Sequence, residues 1–289
     1  MPDNDFDTLL DDQPEAPAEP KLDKEAYAAM KKQERDGLYA LADTTALDVA
    51  ADPARFAQYL DVQARFDYSP TNVLLVMAQR PDATWLGSTD YWRTQKVFIK
   101  PDEMKKAITI ITPGKDYRRD DGGVGTSMNP ARVYDISQAK IPKLQPEPRF
   151  DDKTFTALKK ASQMQVRGAD TLAVDAVTDP GQGTITVRKG MSRDDTIRAL
   201  ARESCRAVYL RQGGDPEVAD LAARAGAYII CKKYGVDTQG IDLSDAPEYL
   251  GRMEEPRDVR DALSDVRKAA VEITGRMAKE LDAKKQEAR

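Results

Sequence analysis

The chain has 289 residues, 40% of them hydrophobic and 32% charged, enough apolar side chain to bury a core, so disorder along the whole length is excluded and one large or two medium domains are expected. Lys and Arg number 44 against 49 Asp and Glu, a net charge of -5, which excludes a globally basic nucleic-acid binder and leaves that role to a local patch. There is no histidine, which removes Ser-His-Asp triads, Cys-His pairs and His-ligated zinc, while two cysteines, Cys205 and Cys231, are too few for a disulfide framework or an all-thiolate metal site and read as buried thiols.

Residues 1–20 hold seven acids, four prolines and no Lys or Arg, the composition of a disordered acidic tail. The first residues lack the basic and apolar regions of a signal peptide, and the longest apolar run, 73–78, is far too short for a membrane span; a cytoplasmic protein with no membrane contact is expected. From 22 to 41 the residues Ala26, Tyr27, Met30, Leu38 and Leu41 recur at helical intervals. Asp52 and Pro53 open a second helix with Phe56, Leu60 and Ala64 on its apolar face. A third follows Ser69, a natural N-cap, and Pro81 stops it.

After Trp92 the period changes. Strands are predicted over 96–99, 107–111 and 131–136, with turns at Pro113 and Gly114 and at Asp121, Gly122 and Gly123. Pro142, Pro146 and Pro148 mark a linker over 141–150. Beyond it come a helix over 155–163, a strand over 184–187, helices over 194–210 and 217–234, and an amphipathic helix over 256–289 carrying Val259, Leu263, Val266, Ala270, Ile273 and Met277. The reading is α+β: a helical N-terminal segment with a small antiparallel sheet over 21–140, then a mostly helical domain over 151–289.

Between Trp85 and Arg119 there are eight basic and four acidic residues, a local surplus of four, and the aromatics Trp85, Tyr91, Trp92, Phe98 and Tyr117 interleave with them. Cations for phosphates and ring faces for bases are what single-strand binding uses. Trp92 and Phe98 fit a core role better than a stacking role, and lysines beside a hairpin also serve as edge protection. Tyr68 and Asn72, four apart on one helix, either face a groove or pin the helix to the hairpin. Arg80 either pairs with Asp82 or meets a phosphate. Arg198, Arg202 and Arg206 form a stripe at four-residue spacing, with three readings: a solvated face, an anion site, or a buried ion-pair network with Glu203 and Asp220.

Several ordered blocks carry a resemblance. Tyr68, Ser69, Asn72, Leu74 and Leu75 form one, the run from Gln79 to Thr84 (QRPDAT) a second, and Val133, Tyr134, Asp135, Ser137 and Gln138 a third, with Trp92 and a Lys-containing hairpin between them. Over about residues 40–140 the chain resembles the N-terminal domain of the ArdC/LtrC-type antirestriction proteins of plasmids and conjugative elements. The family's first domain is associated with single-stranded DNA. The resemblance therefore implies nucleic-acid contacts at Tyr68, Asn72, Arg80, Trp92, Arg93, Lys96, Lys100, Lys105 and Lys106. Where the family has a glycine turn with lysines, this chain has Pro101, Asp102 and Glu103.

The second half is similar to the zincin-like metallopeptidase domain that follows in that family. The family's H-E-x-x-H helix reads Arg202, Glu203, Ser204, Cys205 and Arg206 here, and Arg224 stands near a further ligand position. A guanidinium has no lone pair to give a metal, so these are degenerate metal-site positions and neither metal nor cofactor is expected. The implied protein is not an enzyme. It binds single-stranded DNA in a plasmid or conjugative element, with an antirestriction role and a catalytically dead pseudo-metallopeptidase half, and a host nuclease or mobile-element protein is a second partner. The alternatives are a protein-interaction module, and a residual peptidase or primase accessory protein.

Overall fold

In the computed structural model, which describes residues 23–119, 121–142 and 147–287, helix α1 (Lys24–Ala51) starts where the Asp23 carboxylate accepts the Ala26 N–H at 2.7 Å, satisfying one of the donors a helix start leaves open. The acidic tail expected over 1–20 lies outside the described residues. Helix α1 outruns its predicted end because Ala42, Ala46 and Val49 continue its buried face, while Tyr27, Met30 and Leu41 are exposed, contrary to the sequence reading. Helix α2 (Pro53–Arg65) is capped by Asp52 and α3 (Pro70–Gln79) by Ser69, as their sequences dictate.

A three-stranded antiparallel sheet follows, in the order β1 (Leu86–Gly87), β3 (Val124–Asp135), β2 (Ile108–Arg118). Between β1 and β2 a short helix, α4 (Thr89–Thr94), buries Trp92. Residues 96–99 do not form the predicted strand; Ile99 makes a single bridge to Ala139. Pro113 and Gly114 are not a turn either. They lie within β2 at a register shift between Pro113 and Asp116. An edge strand tolerates a proline, which has no N–H to give, and the reversal falls at 119–123 instead, where Gly122 takes a left-handed φ of 83°.

The free edge of β2 is closed by side chains of α3. Asn72 donates to the Ile111 carbonyl and accepts the Ile111 N–H, both at 2.8 Å. Gln79, two turns on, does the same with Thr109 at 2.9 Å in each direction. Two amides at i and i+7 share a helix face and substitute for a fourth strand, satisfying backbone groups that an uncovered edge leaves open.

In the second half, α5 (Asp152–Ala161) leads into a sheet of order β4 (Gln165–Ala169), β6 (Thr184–Arg188), β5 (Ala176–Asp179). Its β4–β6 pair is parallel and its β5–β6 pair antiparallel. Helices α6 (Arg193–Arg211) and α7 (Ala219–Lys233) pack closely, because Gly226 leaves room for Cys205: a Cβ there would sit 2.7 Å from its sulfur. Short α8 (Ala246–Leu250) precedes α9 (Pro256–Glu287), whose predicted apolar stripe is buried from Val259 to Met277. The arrangement is α+β, and one continuous cluster of buried side chains runs from Leu38 in α1 to Met277 in α9. Polar ties cross between the halves: the Tyr228 hydroxyl donates to Asp61 at 3.0 Å, and Lys232 and Lys233 pair with Asp61 and Asp67 at 3.1 Å.

Candidate functional site

The basic stretch after α4 is shaped by how that helix ends. The Lys96 N–H bonds to the Arg93 carbonyl and the Val97 N–H to the Trp92 carbonyl, the two bonds of a Schellman motif, which puts Lys96 at the left-handed position. Its φ is 55°. The same motif ends α6 and α7, where glycines occupy the left-handed position, Gly213 at φ 84° and Gly235 at φ 72°. The motif turns Val97 inward against Trp92, leaving Val97 4% and Trp92 0% exposed, and sends Phe98 out at 63%. The expectation of a core Phe98 is corrected by this turn, and Trp92 offers no free ring face. Its indole N–H donates to the Tyr134 carbonyl at 2.9 Å.

Residues 98–106 are held against the end of β3 by two side chains. The Asp135 carboxylate accepts the Thr84 and Trp85 N–H groups at 2.7 and 2.9 Å and the Ser137 N–H at 2.9 Å. Burial works against its charge, but the hydrogen bonds from Ser137, Trp85 and Thr84 outweigh that and hold the carboxyl below its usual range. Gln138 completes a capping box with Asp135, and its amide donates to the Lys106 carbonyl at 2.9 Å and to Glu103 at 3.2 Å. The Lys100 N–H in turn donates to the Gln138 carbonyl.

The sequence-predicted residues separate on this frame. Arg93, Lys96, Lys100, Lys105 and Lys106 come together on the surface after α4. Arg93 pairs with Asp90 at 3.0 Å and Lys106 with Glu103 at 2.6 Å, whereas among the described residues Lys96, Lys100 and Lys105 have no carboxylate partner. Tyr68 is half-buried and stacks on Phe66 at 5.7 Å. Asn72 spends its amide on β2, and Arg80 lies 3.9 Å from Asp82. Sequence reasoning missed Lys140, whose N–H donates to the Phe98 carbonyl and which is likewise exposed and without an acidic partner among the described residues.

The arginines of the second half form a self-neutralising cluster. Arg198 and Arg202 of α6 and Arg224 of α7 line a 180 Å³ recess together with Asp175, Asp195 and Asp242, so its charges cancel. Arg198 pairs with Asp195 at 2.6 Å and Asp237 at 3.6 Å. Arg202 lies 3.2 Å from Glu203, which is buried and accepts the Thr178 hydroxyl at 2.9 Å. Asp220 bridges Arg206 at 3.3 Å and Arg224 at 3.0 Å, and Arg224 also meets Asp245 at 2.6 Å. Partial burial opposes the charge of Arg224, but Asp245, Asp220 and Asp242 more than compensate and raise its pKa. The geometry pairs the stripe as the ion-pair reading expected, but only Glu203 is buried, and the Arg206–Asp220 pair is exposed. Cys205 and Cys231 are buried, and burial pushes Cys231 up to about 12.

A divalent metal does not fit this cluster. Guanidinium nitrogens carry no available lone pair, Asp175, Asp195, Asp220, Asp237 and Asp245 are paired with arginines, and among the described residues no group of three or more Cys, Asp or Glu side chains is arranged to hold an ion.

Among solved structures, the fold is similar to two crystal structures of the antirestriction protein ArdC from plasmid R388. The metal-free form matches with a TM-score of 0.51 at 15% identity, covering 73% of this chain and 86% of that one. The Mn(II)-bound form matches with a TM-score of 0.50 at 15% identity, covering 73% and 85%. No model of a known protein family and no curated protein sequence matches the chain. The fold is thus ArdC-like, as the ordered sequence blocks implied.

Two outcomes test this geometry. Asp135→Asn presents an amide to the Ser137 N–H and loses charge-assisted bonds, so it is expected to destabilise by about 1.5–3 kcal/mol at neutral pH. The native carboxyl is depressed, so its contribution is present above the unfolded value near 3.9 and fades as pH falls below it. Urea titrations should therefore show the gap between the two proteins constant at neutral pH and narrowing as pH falls below that value. In the arginine cluster, Arg224→Met leaves Asp245 without its partner and Asp220 with Arg206 alone, and should cost more stability than Arg206→Met, whose pair is exposed and contributes about 0–1 kcal/mol. Denaturation midpoints of the two variants check the ranking.

Proposed function

We propose that the chain is a single-stranded DNA-binding protein with an antirestriction role in a mobile element, and that its second half is a pseudo-metallopeptidase that supports the first without peptide-bond chemistry. The observation that carries this reading is the surface after α4. In a chain of net charge -5, Lys96, Lys100 and Lys105, on the segment that exposes Phe98, and Lys140, whose N–H bonds to the Phe98 carbonyl, sit without acidic partners among the described residues. Polyanion binding draws on uncompensated cations, and sequence tolerance follows from ring faces that every base can meet. The antirestriction role is supported by the likeness of fold to ArdC of plasmid R388. The inert second half is supported by donor chemistry: arginines stand where lone pairs are needed, and Glu203 is engaged by Arg202 and Thr178.

Fluorescence anisotropy with a labelled oligothymidine tests the reading. About four phosphate contacts give a slope near -3 in log K against log salt. Lys105→Glu/Lys106→Glu is expected to weaken binding about ten-fold or more at low salt and to flatten that slope. Affinity that stays level from low to moderate salt contradicts the proposal.

A further inference from the structure

Beside Phe98 there is a recess of 190 Å³ lined by Trp92, Phe98, Pro101, Met104, Arg93 and Lys140 among others, and by no acidic residue. The fully buried Trp92 lies behind it, and Phe98 and Met104, 63% and 41% exposed, are its apolar side chains open to water. Small-molecule pockets commonly run to about 300–1,000 Å³, so this one suits a single planar ring system. Arg93 and Lys140 bring its cations, and Phe98 its exposed ring. That is the distribution a nucleotide presents in reverse, with its base apolar on both faces and its phosphate negative. The recess of the arginine cluster differs on this point, because carboxylates line it in equal number.

Lys96 supplies an independent observation. A lysine in the left-handed region strains the backbone, and such strain collects at working sites. A glycine would make the same turn without it, as Gly213 and Gly235 do. At Lys96 the fold keeps a cation instead, two residues before the ring that the turn exposes. The Arg93–Asp90 pair is 71% and 85% exposed, and a pair so wet is exchanged for a phosphate at little loss.

We infer that this recess is a base-binding subsite: one unpaired base of a single-stranded nucleic acid stacks on Phe98, while the flanking phosphates lie on Lys96, Lys140 and Arg93. This rests on the single-strand reading above and adds to it the residue that makes the stacking contact.

The test is a titration of a labelled oligothymidine, and of the same backbone with abasic positions, against wild type, Phe98→Ala, Phe98→Leu and Lys96→Gly, with melting curves of each. Phe98 is exposed, so both of its variants should melt with wild type. Each is expected to weaken oligothymidine binding about ten-fold with an unchanged salt slope, because the ring carries no charge, and to bind the abasic strand as wild type does. Lys96→Gly is expected to melt higher, bind more weakly, and lose about 0.7 from the salt slope. If wild type binds the oligonucleotide and Phe98→Ala binds it equally well, the subsite is overturned while DNA binding stands, and the exposed ring belongs to a protein contact. If Phe98→Leu keeps full affinity, stacking is overturned in favour of a plain apolar contact. If wild type binds no oligonucleotide, both readings fall together.

Discussion

The surface after α4 depends on one buried carboxylate. Asp135 ends β3, and its two oxygens gather N–H groups from 84 and 85 on one side and 137 on the other. That gathering brings the loop before β1 to the tip of β3. It also seats Gln138, whose amide and carbonyl then hold 100, 103 and 106. Nothing in the sequence of residues 98–106 would order them alone: they contain no regular element longer than a three-residue turn of 3-10 helix. Their lysines have a defined place because a charge that burial disfavours is satisfied by hydrogen bonds at 2.7–2.9 Å, and removing it would leave several backbone donors without a partner.

The two halves handle positive charge in opposite ways. In the second half every arginine of the α6 stripe has a carboxylate within 3.6 Å, and one aspartate, Asp220, serves both Arg206 of that stripe and Arg224 of α7. Such a cluster binds itself. An incoming anion would have to displace acids already in place, and an incoming cation would meet guanidinium groups. In the first half the ion pairs are few and wet, and the lysines face water. Affinity for an outside polyanion is therefore concentrated where the protein has left charge uncompensated, irrespective of the larger number of arginines elsewhere.

Much of the fold is legible from local chemistry. Asp52, Ser69 and Ser192 each precede a helix and each accepts an N–H from it, and the spacing from Val259 to Met277 reads directly as a buried stripe. The parts that escape are those whose signal is short or non-local. Strands β4 and β5 bury one residue between them, too few to set a period. Helix α4 buries Trp92 alone. Pro113 with Gly114 is a strong turn signal, overridden because β2 is an edge strand with no need of that N–H. The ion-pair partners Asp237 and Asp245 lie in loops 39 and 21 residues from their arginines along the chain, a distance no motif spans. The RES-CR block at 202–206 did disclose its chemistry, because an arginine's inability to donate an electron pair holds in any fold.

Phe98 shows why the binding surface was harder to read than the scaffold. Alternation along a strand would assign Val97 and Phe98 to opposite faces, but it does not say which is inside. The Schellman turn decides it, and the turn is hidden because the residue that makes it is a lysine rather than the glycine that usually announces it. A backbone position strained by about 1–3 kcal/mol persists only where its surroundings over-determine it. Here the surroundings are Val97 locked against the buried Trp92 and the Phe98 carbonyl bonded to Lys140. The fold thus keeps a cation and an exposed aromatic ring two residues apart at a cost in its own stability, and a ligand that meets both would offset that cost.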